Sequence, residues 1–125
     1  MQILNETRGT VLGRKVILAD SPWARLRGFL LRPPPRAGEG ILLTPCNAIH
    51  MWGMRFPLDV IYLDASGRVL RALQSLPPWA TPGRVSNGRY VLEVPVGTIE
   101  ATGTAAGDIC SWTRASTPSL RLKEI

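Results

Sequence analysis

The stretch Pro57-Leu58-Asp59-Val60-Ile61-Tyr62-Leu63-Asp64-Ala65-Ser66-Gly67-Arg68-Val69-Leu70 decides the fold. After Asp59, the run Val60-Ile61-Tyr62-Leu63 is apolar at every position and rich in β-branched and aromatic residues, so it fits a strand buried on both faces. Asp64-Ala65-Ser66-Gly67 concentrates turn formers, and Arg68-Val-Leu-Arg-Ala-Leu73 then reads as a second strand. The pattern predicts a β-hairpin whose first strand lies centrally in a sheet.

Further short apolar runs flank this hairpin: Lys15–Ala19, Ile41–Thr44, Tyr90–Val94 and Asp108–Thr113. Their lengths fit strands. With 12 Gly and 11 Pro as breakers, no helix can run far, which predicts a mainly β domain, α+β at the margin. The architecture expected is a compact single-domain β-sandwich or partly open β-barrel with two short helices, over residues 1–125. The first helix is expected in Asp20–Leu31, where Asp20 or Ser21 caps and Pro22 sits in the first turn. Its Trp23, Leu26, Phe29 and Leu30 would pack on the sheet. The second is expected over Pro95–Thr102, stopped by Gly103. The proline-rich runs 32–40 and 76–89 read as surface loops.

A chain of 125 residues is long enough to bury roughly two-thirds of its unfolded surface. Its core therefore needs no metal or disulfide framework, and no cofactor is expected. The net charge of +6 comes mainly from 13 arginines, which favour carboxylate or phosphate contacts. Along the sequence they are scattered singly, without a basic run, which argues against nucleic acid as the partner. The amino terminus lacks the pattern of a secretory signal, and no apolar run approaches the ~20 residues needed to span a bilayer. The expected location is cytoplasmic, with Cys46 and Cys110 as free thiols.

The order of several short motifs resembles the prokaryotic domain-of-unknown-function family 192 over about residues 15–112. Arg27-Gly28-Phe29-Leu30 is similar to that family's Arg-Gly-Leu-Met helix, and Gly40-Ile41-Leu42-Leu43 to the strand after it. Pro57–Asp64 with Gly67-Arg68-Val69 resembles the central hairpin, while Val91–Gly97 and Gly107-Asp108 resemble the closing elements. The resemblance implies a compact, mainly β domain with short helices and no settled activity. Where many members carry Trp-Met followed by Thr, this chain has His50-Met51-Trp52-Gly53-Met54, in a variant with Cys46, Ile49 and His50.

Chemistry-bearing residues concentrate between Cys46 and Asp64. If residues 50–56 run extended, His50, Trp52, Met54 and Phe56 share one side. His50 is then either a core or rim histidine satisfied by a carbonyl or a ligand contact in an aromatic-lined pocket. Trp79, on a proline-stiffened loop, would be a lid over that side or a plug on the core. Asp59 is expected to form a structural ion pair with Arg27 or Arg55. Glu93 interrupts an apolar run and either faces solvent or joins Asp59 as an acid/base pair. A Cys46–His50 thiolate pair is the other catalytic arrangement considered.

The sequence thus points to a binding module without turnover. Its groove would be formed by His50, Trp52, Met54, Arg55 and Trp79, and would take a small molecule or protein, anionic in character. A small hydrolase or thiol-dependent enzyme using Cys46/His50 or Asp59/Glu93 is the alternative, and a structural accessory subunit a third. No catalytic residue and no metal ligand is assigned.

Overall fold

The computed structural model describes residues 1–113; the remainder of the expected 1–125 domain, 114–125, lies outside the described residues. In chain order the elements are β1 (Ile3–Asn5), β2 (Thr10–Gly13), β3 (Lys15–Ala19), α1 (Pro22–Arg27), β4 (Glu39–Leu43) and β5 (Ala48–Ile49). They continue with β6 (Leu58–Leu63), β7 (Val69–Leu76), β8 (Gly83–Arg84), β9 (Tyr90–Val94), α2 (Thr98–Thr102) and β10 (Cys110–Trp112). Over the described residues the protein is mainly β with two short helices, as its sequence indicates, and none of the sheets formed there closes into a barrel.

A five-stranded sheet in the order β3-β4-β9-β6-β7 organises the molecule. Every residue of β6 is buried, because the strand is flanked on both edges and covered on both faces. The β6–β7 hairpin forms where expected. Asp64 Oδ1 closes its turn by accepting from the Ser66 and Arg68 amides at 2.8 and 3.0 Å, the local geometry that favours aspartate in turns. The β3–β4 pair is parallel and its connection carries α1; the other three pairings are antiparallel.

Alternation along these strands sorts side chains into two cores. On one face Leu42, Ile61, Leu63, Leu92 and Val94 pack with Ile3, Leu12 and Ile99, contributed by the three-stranded sheet β10-β1-β2 and by α2. The opposite face carries Ile41, Leu43, Val60, Tyr62 and Val91, covered by Phe29 and Met51. Strands β1 and β2 escape a reading of apolar runs because each is short. Asn5 is fully buried and earns its place by bonding: its Nδ2 donates to Thr104 Oγ1 and to Asp108 Oδ2, each at 3.0 Å.

The first helix differs from its expected form. Ser21 caps it by accepting from the Ala24 amide at 3.1 Å, with Pro22 in the first turn, but it ends after six residues at Gly28, whose φ is 47°. That early stop breaks the expected apolar stripe. Phe29 turns into the core, while Trp23 and Leu26 remain 72% and 65% exposed. The second helix ends at Gly103 as expected.

Candidate functional site

On the α1 side of the sheet a cavity of about 320 Å³ opens between three segments. The first is α1 with the following turn, the second runs from Cys46 to Met54, and the third is the floor formed by β4 and β9. That volume lies at the small end of the range typical of ligand sites, roughly 300–1,000 Å³. The walls are largely apolar, through Leu26, Phe29, Leu30, Leu43, Met51 and Met54, and the polar lining includes Arg25, Arg27, Cys46, His50 and Glu93.

Glu93 is the unusual member of this set. The registers Ile41↔Glu93 and Val60↔Glu93 set its side chain on the same face as Val91, under the α1 segment. It is only 6% exposed. The Phe29 backbone amide lies near the carboxyl group and favours its charged form, yet Oε1 is buried with no hydrogen-bond partner. Burial raises its pKa to about 7 against the opposing effect of the Phe29 amide, since desolvation disfavours the charged form. Gly28 makes this arrangement possible: a Cβ there would come within 2.9 Å of Glu93 Oε1. A buried polar atom without a partner is rare in native proteins and is a place where a ligand group fits.

Asp59 and Glu93 do not form an acid/base pair. Asp59 is opposite Val94 in the ladder and Glu93 is opposite Val60, so the two carboxyl groups leave the sheet on opposite faces. The expected ion pair of Asp59 with Arg27 or Arg55 is also absent from the structure. Asp59 instead accepts from the Ser75 and Ile99 backbone amides, each at 2.9 Å. Arg27 Nε donates to the Leu30 carbonyl, and Arg55 is exposed beside a neighbouring hollow lined by Leu31, Arg32 and Phe56.

Residues 50–56 do not run extended. Gly53 has a φ of 84°, and Met54 donates its amide to the Met51 carbonyl at 3.1 Å, so this segment turns and the expected alternation fails. Met51 is buried whereas Trp52 is 63% exposed. His50 is exposed and lies against Trp52, with ring centroids 5.1 Å apart. His50, Trp52 and Met54 therefore line one cavity, but Arg55 and Trp79 do not. Trp79 is 74% exposed, which removes its role as a core plug; its loop is tied alongside by the bond from Met51 N to Ala80 O at 2.8 Å.

Cys46 reaches the cavity without forming the proposed thiolate pair. Its Sγ donates to the Ala48 carbonyl at 3.2 Å. Burial raises its pKa, with the Ala48 bond and Arg25 opposing that rise and the charge of Glu93 adding to it. The thiol form is thus favoured, the reverse of what an activated nucleophile needs. Cys110 belongs to the core on the other face. Among the described residues no group of three His, Cys, Asp or Glu side chains converges to hold a metal ion.

Sequence reasoning singled out Glu93 but could not place it; the signal was a carboxylate in an otherwise apolar strand. Gly28 and Arg25 were not anticipated as site residues, because their role depends on where α1 ends.

The chain resembles proteins whose roles are likewise unsettled. It is 34% identical over 114 residues to a UPF0127 protein of Thermococcus sibiricus, covering 88% of this chain and 73% of the relative. A UPF0127 protein of Thermococcus kodakarensis is 36% identical over 115 residues, covering 89% and 73%. A crystal structure of a protein of unknown function from Novosphingobium aromaticivorans DSM 12444 superposes with a TM-score of 0.79 at 22% identity, over 90% of this chain and 84% of that one. That likeness concerns the fold. Residues 3–112 match the family DUF192, described as "Uncharacterized ACR, COG1430", and the chain belongs to this family.

Proposed function

We propose that this domain is a non-catalytic binding module that holds a small molecule in the cavity above Glu93. The observation that carries the reading is Glu93 Oε1, buried, unpartnered and facing a hollow of ligand size. Below neutral pH the carboxyl group is protonated and donates a hydrogen bond to a carbonyl or hydroxyl oxygen; at higher pH it accepts one from a ligand N–H or O–H. The apolar walls take the ligand's hydrocarbon part, and Arg25, Arg27 and His50 at the mouth suit an anionic or carbonyl end. Turnover is disfavoured because Asp59, the carboxylate considered as Glu93's partner, leaves the sheet on the opposite face and Cys46 is held as a thiol. The module is taken to be cytoplasmic.

Protein-observed NMR with a library of small amide, hydroxy and carboxylic acid fragments tests this. Fragments that bind should shift the backbone resonances of Gly28, Phe29, Met51 and Trp52, and Glu93→Leu should weaken them about tenfold, the loss of a buried hydrogen bond. A library whose hits leave those four residues unmoved, or bind Glu93→Leu equally well, would count against the site.

A further inference from the structure

The fold gathers onto one side what the sequence scatters. Five strongly exposed large apolar residues, Trp23, Leu26, Leu31, Trp52 and Trp79 (63–85% exposed), come from three segments that meet around the cavity mouth. Leu26 and Trp52 share its rim, and Trp23 lies three residues before Leu26, on the same flank of α1. Leu31 lines the adjoining hollow with Met54, which also lines the cavity. The Met51–Ala80 backbone bond places the Trp79 loop beside Trp52.

Basic groups outnumber acidic ones on this side. Residues 21–38, 45–58 and 74–89 contain no aspartate or glutamate, with Asp20 and Glu39 flanking the first of these segments. Arg25, Arg27, Arg32 and Arg55 stand among the apolar groups, and the nearest carboxyl group in the cavity is Glu93, buried at its floor. A soluble domain seldom leaves so many large apolar side chains together without a partner. The local excess of arginine favours a partner of negative charge.

We infer that this side docks reversibly on an anionic lipid surface. Tryptophan is favoured at the headgroup level of a bilayer, leucine enters the acyl boundary, and arginine pairs with the lipid phosphates just above it. Projecting leucines have no counterpart in nucleic acid, where bases stack on aromatic rings. The apolar groups stand outward from three separate segments around the cavity mouth rather than forming one continuous groove, an arrangement that suits a deformable lipid surface. No helix of the described residues is long and apolar enough to cross a membrane, so the attachment is peripheral.

Flotation with vesicles of equal phosphatidylglycerol and phosphatidylcholine, against phosphatidylcholine alone, tests the inference. The full chain should float with the anionic vesicles only. Binding should fall about tenfold or more in Arg27→Glu/Arg55→Glu and in Trp23→Ser/Leu31→Ser, and weaken in 0.5 M salt (a screening length of about 4 Å). All four positions carry exposed or solvent-facing side chains, so unchanged far-ultraviolet circular dichroism should accompany the loss. Glu93→Gln should float as the wild type does, which separates this surface from ligand binding inside the cavity. Failure to float, flotation unaffected by both double variants, or capture by polyglutamate or single-stranded RNA with the same variant sensitivity but not by vesicles would overturn it.

Discussion

Replacing Asp59 with alanine should lower the unfolding free energy by about 3 kcal/mol, since the buried Ile99 amide and the partly buried Ser75 amide lose their acceptor, at roughly 1–3 kcal/mol for a fully buried donor and less for the other. Asp59 is fully buried and joins two features that need it. Ser75 lies on β7 with a φ of 51°, near the place where the β6–β7 register shifts, and its amide donates to Asp59 Oδ1. Ile99 is in the first turn of α2, whose N-cap Gly97 provides no side-chain acceptor; Asp59 Oδ2 receives that amide from the sheet face on which α2 packs. Asp59→Asn should cost less, because its amide oxygen still accepts one of the two bonds while its NH₂ group confronts the other donor. Guanidinium unfolding of the three proteins measures this. A change below about 1 kcal/mol in the alanine variant would mean that these amides find other acceptors, against the stated cost of an unpaired donor.

Glu93→Gln should have the opposite sign. The folded protein holds the Glu93 carboxyl group at a pKa of about 7 against an ordinary value of 4.5. Below pH 4.5 the group is protonated in both folded and unfolded chains and contributes no pH dependence. As pH rises through 4.5, the unfolded chain ionises while the folded one does not, and stability falls until the folded group also ionises near 7. The gap corresponds to about 3 kcal/mol at 1.36 kcal/mol per pKa unit. The wild type should therefore lose about that much stability between pH 4.5 and 8, whereas Glu93→Gln should lack this component and exceed the wild type at pH 8. Denaturant midpoints at pH 4.5, 6 and 8 provide the comparison. A chain that retains a carboxyl group where glutamine is more stable is trading stability for something the carboxyl group does, as functional sites often do.

The central sheet was legible because its strands obey simple patterns. Leu58–Leu63, Lys15–Ala19 and Tyr90–Val94 occur as read from their apolar runs, and the Asp64–Gly67 turn joins β6 to β7. What could not be read depended on where local elements stop. Ending α1 at Gly28 exposes Trp23 and Leu26, and it brings Phe29 down beside Glu93. The turn at Gly53 puts Met51 inside and Trp52 outside. Neither event leaves a periodic trace, because each rests on one glycine with positive φ. Asp59 was correctly seen as a buried carboxyl group needing a partner, but its partners are backbone amides, which every residue offers and no composition reveals. Arg55 likewise joins Arg25, Arg27 and Arg32 on one side only when the chain folds.

Glu93, buried at the floor of an open cavity with Oε1 unpartnered, is the residue on which the proposed binding site rests. The most direct measurement is the titration of its side-chain carboxyl carbon by ¹³C NMR, assigned by comparison with Glu93→Gln. The expected midpoint is about 7, moved by fragments that occupy the cavity. A midpoint at the ordinary 4.5, insensitive to any fragment, would mean that Glu93 is hydrated or already paired, and would contradict the assignment of this cavity as a binding site.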